Sequence, residues 1–295
     1  MNEIIQNLKK IEEWVDFSSP PPDFDTNTEF MKFAVEIMNR CLYLLKTGAA
    51  SAPDAETANK GYAKNEAIIV GHIVRITKLY EGVLMHICSH QQELAHIFFR
   101  LIFETAIRME YLITSESEKK SFQSFILTSY RPEKEMLQDL ESNAKQRPLI
   151  PIEKRMRRSI ISWLRRDGIN QKELLKNKNW NLDSKNFREI MKTFNLDSMY
   201  SYGFGIASHH VHGDWLDIAY YHLKQDGERY YTPELCFTEP DPRSACPVTH
   251  ICLDSLLKYL KWNKSDPDGL ITSVVVKLRE LNLVLDAAHE STLDE

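Results

Sequence analysis

Apolar residues recur at helical spacing along most of the chain, and turn-forming residues separate the periodic segments. The first helix is predicted over 3–15, because the Ser-Ser-Pro-Pro-Pro run at 18–22 cannot continue it. A second helix is predicted to open with a capping box made by Thr26 and Glu29. Residues 48–61 are rich in Ala, Ser, Pro and Asp, and we expect them to form a mobile loop.

Further helical segments follow, and several of them are short. They are predicted over 65–112 with a break near 89–92, from 115 to about 143 with a kink at Pro132, and over 152–166, 171–175, 184–194, 197–207, 248–262 and 269–288. Apolar and polar residues alternate over 220–234, which predicts a small β-hairpin that turns at Asp226-Gly227. The fold class is therefore predicted to be all-α, a multi-helix bundle with one hairpin.

The domain organisation is predicted from the loop-forming and helix-breaking residues in the sequence. The N-terminal helices and the loop form a first region, 1–60, and a main helical domain covers 61–295. Two prolines at 147–151 mark a candidate sub-boundary inside the main domain.

Composition supports the helical assignment and excludes several classes of protein. Only 10 of the 295 residues are Gly, which is few for the turns of a sheet protein. The formal net charge of -5 excludes a globally basic nucleic-acid binder but permits a local basic face. The 5 cysteines contain no C-x-x-C pair, so a reducing, cytoplasmic setting is expected. The sequence has neither a signal-peptide core nor a run of about 18 apolar residues, so no membrane partner is expected.

The helix predicted around 96–112 is apolar on nearly every side, yet it carries an ionisable stripe. If the helix is unbroken, the stripe contains His86, His90, Glu93, Arg100, Glu104 and Arg108. A buried Arg–Glu pair is costly unless it is well hydrogen-bonded. Two interpretations stay open: Arg100 and Glu104 form an internal salt bridge that aligns two helices, or they belong to a functional pocket.

A second constellation lies at 208–214, where three histidines stand beside a serine and an aspartate. His212 is the candidate general acid or base, oriented by Ser208 or Asp214. His209 and His210 are secondary candidates, as is Asp214. In the alternative interpretation, one histidine caps a helix or fills the core while the other two lie in solvent.

Two metal-binding patterns are present only in part. Residues 210–214 have the letters of the metallo-β-lactamase ligand run, but Trp215 stands where a further histidine is required. Glu93 and His96 form the Glu-x-x-His half of a di-iron site, and the second copy is absent. No metal and no cofactor is therefore expected.

The helix carrying Arg100-x-x-x-Glu104, followed later by Ser208-x-x-x-His212-Gly, resembles a prokaryotic helical family of unknown function with the same two motifs. The resemblance spans roughly 69–222. It implies that Arg100, Glu104, Ser208 and His212 are the catalytic residues. Members of that family are linked to mobile elements and phage defence, so the resemblance also implies an effector or toxin-like role, with a protein partner from the same operon.

A more distant resemblance is to the HEPN superfamily, helical bundles in which an Arg and a His with four to six residues between them cleave RNA. Arg243 and His250 have six residues between them at a Pro-containing helix entry, and they are secondary candidates. By analogy, Arg100 would hold a phosphate and Glu104 would orient it, while His212 moves protons.

Basic residues outnumber acidic residues over 145–166, although the whole sequence is acidic. The substrate-binding candidates are Arg155, Arg157, Arg158, Arg165 and Arg166, which would contact RNA or nucleotide phosphates. The alternative is a solvated helix face anchored through Ile160 and Leu164.

Two functions from different classes are compatible with these features. The first is a metal-independent, nuclease-like hydrolase acting on RNA or a nucleotide. The second is a non-catalytic interaction or sensing subunit in which the Arg100–Glu104 pair is structural. The second predicts an exposed apolar surface or an oligomer interface on the helix at 269–288, and a homo-oligomer is expected.

Overall fold

The structure, a computed structural model, describes residues 2–227 and 230–293. Helices dominate these residues, and two short antiparallel strands form a hairpin, which confirms the all-α prediction. In chain order the elements are α1 (Asn2–Phe17), α2 (Asn27–Ala50), α3 (Ala55–Lys60), α4 (Lys64–Cys88), α5 (Gln92–Thr114), α6 (Glu118–Ser129), α7 (Arg131–Gln146), α8 (Pro151–Asp167), α9 (Gln171–Lys176), a 3-10 turn (Leu182–Ser184), α10 (Phe187–Lys192), α11 (Asp197–Met199), a π-helix (Tyr200–Gly205), α12 (Ile206–His212), α13 (Trp215–Tyr221), β1 (Leu223–Asp226), β2 (Tyr230–Pro233), α14 (Pro242–Asn263) and α15 (Leu270–Leu293).

The helices group into two compact units. The first unit contains 1–113 and 196–295, and the second contains 114–195. In the second unit, residues 147–151 join α7 to α8.

The core of the first unit is built by α2, α4, α14 and α15. Their apolar faces bury side chains completely, as at Ile37 and Ile73. The hydroxyl that enters this core from Tyr80 is satisfied by Thr249 Oγ1 at 2.8 Å, so its burial carries no unpaired donor. Gly48 lets α2 approach α14 closely, because a Cβ there would come within 2.5 Å of Leu256 Cδ1.

The helix boundaries explain two sequence features in the first unit. The capping box of Thr26 and Glu29 is confirmed at the start of α2. The predicted break near 89–92 is also confirmed, with His90 in the left-handed region at φ 55°. The stripe of ionisable residues on α5 therefore does not continue through His86 and His90, because the helix ends at Cys88.

Several local predictions were wrong in detail. The segment 48–61, predicted to be a loop, contains the short helix α3. The predicted kink at Pro132 is a separation between α6 and α7, and Pro132 sits in the first turn of α7, where a missing N–H costs nothing. The segment 197–207 is divided among α11, the π-helix and α12. The hairpin pairs Leu223 with Pro233, and its tip at 228–229 lies outside the described residues.

The second unit has a small core of its own. Tyr130, Leu137, Ile160, Leu164 and Leu174 are buried together in it. Ile160 and Leu164 thus anchor α8 as the amphipathic pattern predicts.

Charge is divided unequally between the units. Residues 114–195 contain 18 Lys and Arg against 11 Asp and Glu, a formal net charge of +7. The other 19 Lys and Arg stand against 31 Asp and Glu, a formal net charge of -12 in the first unit. The overall value of -5 therefore conceals a basic region. In the described part of the chain, no helix has the length and apolar character needed to cross a membrane.

Candidate catalytic site

The candidate site lies in the first unit, where α5 carries His96, Arg100 and Glu104. A spacing of four residues places these side chains on one face, one turn apart. Helix α12, which is far away in sequence, meets this face with Ser208 and His210. The two motifs identified in the sequence are therefore in contact.

The Arg100 guanidinium joins the motifs directly. Its Nη1 donates to Ser208 Oγ, and its Nε and Nη2 each donate to Glu104 Oε1 at 3.3 Å. The Arg100 side chain is only 12% exposed and that of Glu104 is 24% exposed. Arg108 Nη2 lies 3.8 Å from the second Glu104 oxygen. This arrangement fixes the orientation of a partly desolvated cation, which is how proteins hold phosphate or carboxylate groups.

One turn before Arg100, His96 belongs to a continuous chain of hydrogen-bonded side chains. Asp217 Oδ1 lies 2.8 Å from His210 Nδ1, and His210 Nε2 lies 2.9 Å from His96 Nδ1. His96 Nε2 lies 3.3 Å from Ser244 Oγ. The chain runs from α13 through α12 and α5 to α14, so it links four helices. We call these four residues, Asp217, His210, His96 and Ser244, the polar chain.

The chemistry of the side chains in the polar chain indicates which atom donates in each hydrogen bond. An ionised Asp217 carboxylate can only accept, so His210 Nδ1 carries the hydrogen of that bond. When His210 is neutral, its Nε2 accepts from the Nδ1–H of His96. This leaves His96 Nε2 as the acceptor that faces the Ser244 hydroxyl.

The surroundings keep His96 neutral. Burial, followed by the neighbouring His210, lowers the pKa of His96 to about 4. The ring of Tyr221 packs at 4.9 Å from His210 and 6.3 Å from His96, measured between ring centroids. Burial also raises the pKa of Tyr221. His96 is therefore able to accept a proton at neutral pH without first losing one.

The first turn of α5 also positions the start of α14. Gln92 Oε1 accepts from the backbone N–H of Asp241 at 3.2 Å, and Glu93 Oε1 accepts from that of Thr238 at 2.8 Å. Both side chains are buried. These bonds fix the segment before α14 and so place Ser244, in the first turn of that helix, against His96.

The structure separates the three histidines of 208–214. His210 enters the polar chain, and its side chain is 5% exposed. His209 Nδ1 instead pairs with Asp214 Oδ2 at 2.5 Å, and Asp214 caps α13 through the N–H groups of Leu216 and Asp217. His212 is exposed at the end of α12, one turn after Ser208. Its assignment as the general acid or base stays a prediction.

Arg243 and His250 lie on one face of α14, about 10 Å apart along the axis because they are seven positions apart. Arg243 Nη2 pairs with Asp241 Oδ2 at 2.7 Å. Burial and then Arg279 lower the pKa of His250. The two side chains thus have different neighbours, and their joint role also stays a prediction.

In the second unit, α8 turns a row of cations to the solvent. At 100° per residue, these cations span an arc of about 120° opposite the buried Ile160 and Leu164. We call them the cationic face of α8: Lys154, Arg155, Arg158, Arg165 and Arg166. Arg157 is exposed nearer the buried side, and Trp163, 44% exposed, borders the face. Among the residues that the structure describes, no group of three or more His, Cys, Asp or Glu side chains is placed to hold a metal ion.

The sequence interpretation missed two members of the polar chain, Asp217 and Ser244. His96 was considered only as half of a metal motif. The signal for His96 was available, since it precedes Arg100 by four residues on the same predicted helix. No pattern in the sequence indicates that Ser244 lies beside it.

Comparison with known families gives one result. The model of a family described as "Family of unknown function (DUF5677)" matches residues 66–229, more than half of the chain. The match includes His96, Arg100, Ser208, His210 and Asp217, and it ends before Ser244. Neither the curated proteins nor the solved structures contain a significant match to the chain.

Proposed function

The chain belongs to the family of unknown function DUF5677, and we propose that it is a metal-independent, nuclease-like hydrolase acting on RNA. The observation that carries the proposal is the meeting of α5 and α12. It places an oriented guanidinium, Arg100, one helical turn from a neutral, partly buried imidazole, His96. Cleavage of a phosphodiester without a metal needs these two functions side by side: a cation for the phosphate oxygens and a proton acceptor.

Arg100 is the phosphate-binding residue in this proposal. Ser208 Oγ accepts a hydrogen bond from Arg100 Nη1, and a phosphate oxygen can replace Oγ as the acceptor. Glu104 holds the guanidinium from the other side and so keeps its plane fixed. A lysine would supply the charge without this fixed plane.

The second unit supports RNA as the substrate class. Its net charge is +7, and the five cations on the cationic face of α8 are not packed in the apolar core. Phosphate contacts from such a face are independent of sequence and strong at low salt. Exposed Trp163 beside the face offers a ring on which an unpaired base can stack.

The biological setting is proposed from the resemblance to a family linked to mobile elements and phage defence. An enzyme of that kind that cleaves RNA would act as an effector or toxin-like component of a prokaryotic defence system. Expression in a bacterial host is then expected to arrest growth, and a variant that lacks the chemistry is expected to relieve the arrest.

Two adjacent histidines provide a matched test of the site. We expect the purified full-length chain to cleave an end-labelled single-stranded RNA at pH 7. His210→Gln should slow cleavage by about 100-fold or more, since general acid–base groups contribute on that order. His209→Gln should cleave within about 3-fold of wild type, because His209 pairs with Asp214 away from the polar chain.

Circular dichroism of the three proteins serves as the folding control. Equal cleavage by the folded His210→Gln variant and the wild type would overturn the proposed site. Failure of the folded wild type to cleave RNA would overturn the proposed substrate.

The second candidate function is a non-catalytic interaction subunit, and one surface favours it. Large side chains on α13 and around β2 are strongly exposed: Trp215 by 57%, Tyr220 by 77%, Tyr230 by 76% and Leu235 by 91%. On α15, where the sequence interpretation expected such a surface, the values are lower, at 38% for Val276 and 45% for Val284. Light scattering on the wild type and Trp215→Ser would show whether this surface supports a homo-oligomer.

A further inference from the structure

The polar chain ends on a hydroxyl group. Ser244 Oγ faces His96 Nε2 at 3.3 Å. In the neutral tautomers that a carboxylate at Asp217 selects, His96 Nε2 is the acceptor end of the polar chain. A serine hydroxyl that faces a histidine acceptor, which in turn is oriented by further groups, has the arrangement of an activated nucleophile. Here the orienting groups are a second histidine and a carboxylate.

The position of Ser244 in α14 supports the same role. Ser244 is the third residue of a 22-residue helix that opens with Pro242. The positive end of the helix dipole therefore lies at this hydroxyl. Negative charge that develops on Oγ, or on an oxygen bound next to it, is stabilised at such a terminus. Ser244 is half-buried, so the residue is not enclosed in the core.

We propose that Ser244 is the nucleophile of this enzyme and that it forms a covalent phosphoseryl intermediate with the substrate. His96 is its general base, and His210 and Asp217 are positioning residues that act through His96. This inference rests on the proposed function, because it names the attacking group for the same site. It also concerns a residue outside 66–229, the region matched by the family model.

The first step shifts two protons along the polar chain and carries one positive charge to His210. Ser244 Oγ attacks phosphorus and forms an O–P bond, while the bond from phosphorus to the leaving oxygen breaks. The Oγ proton passes to His96 Nε2, and the Nδ1 proton of His96 passes to His210 Nε2. The positive charge then rests on His210, beside Asp217 at 2.8 Å.

The second step returns the proton and releases the enzyme. His210 gives its Nε2 proton back to His96 Nδ1, and His96 Nε2 protonates the leaving oxygen. Water then attacks the phosphoseryl phosphorus and loses a proton to the same chain. The O–P bond to Ser244 breaks, and Oγ recovers that proton from His96.

The location of the positive charge explains why two histidines are used. Burial lowers the pKa of His96 to about 4, so a lasting imidazolium at His96 is unfavourable. Passing the charge to His210 places it against the Asp217 carboxylate, which offsets the cost of burying it. His222 Nε2 lies 3.4 Å from the other Asp217 oxygen, so the carboxylate has a partner on each side.

The experiment uses a fluorophosphonate probe, which reacts with activated serines by the same attack and releases fluoride. We expect the folded full-length wild type to gain one adduct, mapped by peptide mass spectrometry to Ser244. Ser244→Ala should gain none. The reaction of His96→Gln should be at least about 100-fold slower, and that of Asp217→Asn about 10-fold slower. Asp217→Glu should recover part of the wild-type rate.

Ser273 provides the matched control. It is an exposed serine in the first turn of α15, another long helix, and its hydroxyl donates to the carbonyl oxygen of Leu270 at 3.2 Å. Ser273→Ala should react at the wild-type rate. Circular dichroism checks the fold of each variant, and Ser244→Cys provides a second nucleophile at the same position.

The outcomes separate this inference from the proposed function. RNA cleavage without an adduct at Ser244 would overturn the nucleophile and leave the hydrolase. An adduct at Ser244 without RNA cleavage would support the nucleophile and reject RNA as the substrate. An adduct that forms equally fast in wild type and His96→Gln would overturn the role of the polar chain.

Discussion

The two units place their ionisable side chains in opposite ways. In the first unit, His96, His210 and Asp217 are turned inward and bonded to one another, although the unit carries a net charge of -12. In the second unit, the cations of α8 point into solvent around a small apolar core, and the net charge is +7. Buried groups hold fixed geometry and shifted pKa values, which chemistry needs. Exposed cations supply attraction that salt screens.

Arginine illustrates the difference within one residue type. Arg100 is 12% exposed and has its orientation fixed by Glu104 and Ser208. Arg155 and Arg158 are exposed to solvent on α8. On the proposed division of roles, Arg100 recognises a single phosphate group, and the residues on α8 attract a polyanion.

Neutralising the cationic face should have the largest effect on RNA binding. The triple variant Arg155→Gln, Arg158→Gln, Arg165→Gln is expected to lower RNA affinity by about 100-fold at low salt. The slope of log affinity against log salt should fall by about 3, one for each lost phosphate contact. Fluorescence anisotropy with labelled RNA over a salt series measures both quantities.

The second unit offers a control with the same change in charge. Lys172, Lys176 and Lys178 are exposed but lie outside α8. Their combined replacement by Gln should leave most of the affinity in place. An equal loss in both triple variants would mean that net charge alone, and not the α8 face, binds RNA.

A smaller effect is expected on the pH dependence of stability. The pKa of His96 falls from an ordinary 6.5 to about 4 in the folded protein. The unfolded chain therefore binds this proton more tightly, so the free energy of unfolding decreases as the pH falls from about 6.5 toward 4. On acidification from pH 7 to pH 5.5, His96 should lower the free energy of unfolding by about 1 kcal/mol.

Urea unfolding at the two pH values measures that loss in wild type and in His96→Gln. The variant is less stable at pH 7 but should lose about 1 kcal/mol less on acidification. An identical loss in the two proteins would show that His96 is not held neutral by its surroundings.

Much of the fold could be predicted from the sequence, because helix signals are local. The capping box at Thr26 and the break before Gln92 depend on a few neighbouring residues. The short elements between Leu196 and Tyr221 were predicted poorly, since no long periodic pattern identifies them.

The candidate site was predictable only where its residues share a helix. Arg100 and Glu104 are four residues apart, and helical periodicity pairs them. Ser244 meets His96 where α14 packs in the core and Gln92 and Glu93 bind the segment before it. Such contacts across 148 residues depend on tertiary packing, which no local pattern encodes.

The central claim is that the first unit performs the chemistry and the second supplies RNA affinity. We would test it by measuring RNA binding and RNA cleavage in parallel for Arg100→Lys and for the α8 triple variant. Arg100→Lys should bind RNA normally and cleave about 100-fold more slowly, because the fixed guanidinium plane is lost. The α8 variant should bind weakly and recover near-normal cleavage at saturating RNA. Wild-type cleavage by the folded Arg100→Lys protein would contradict the claim.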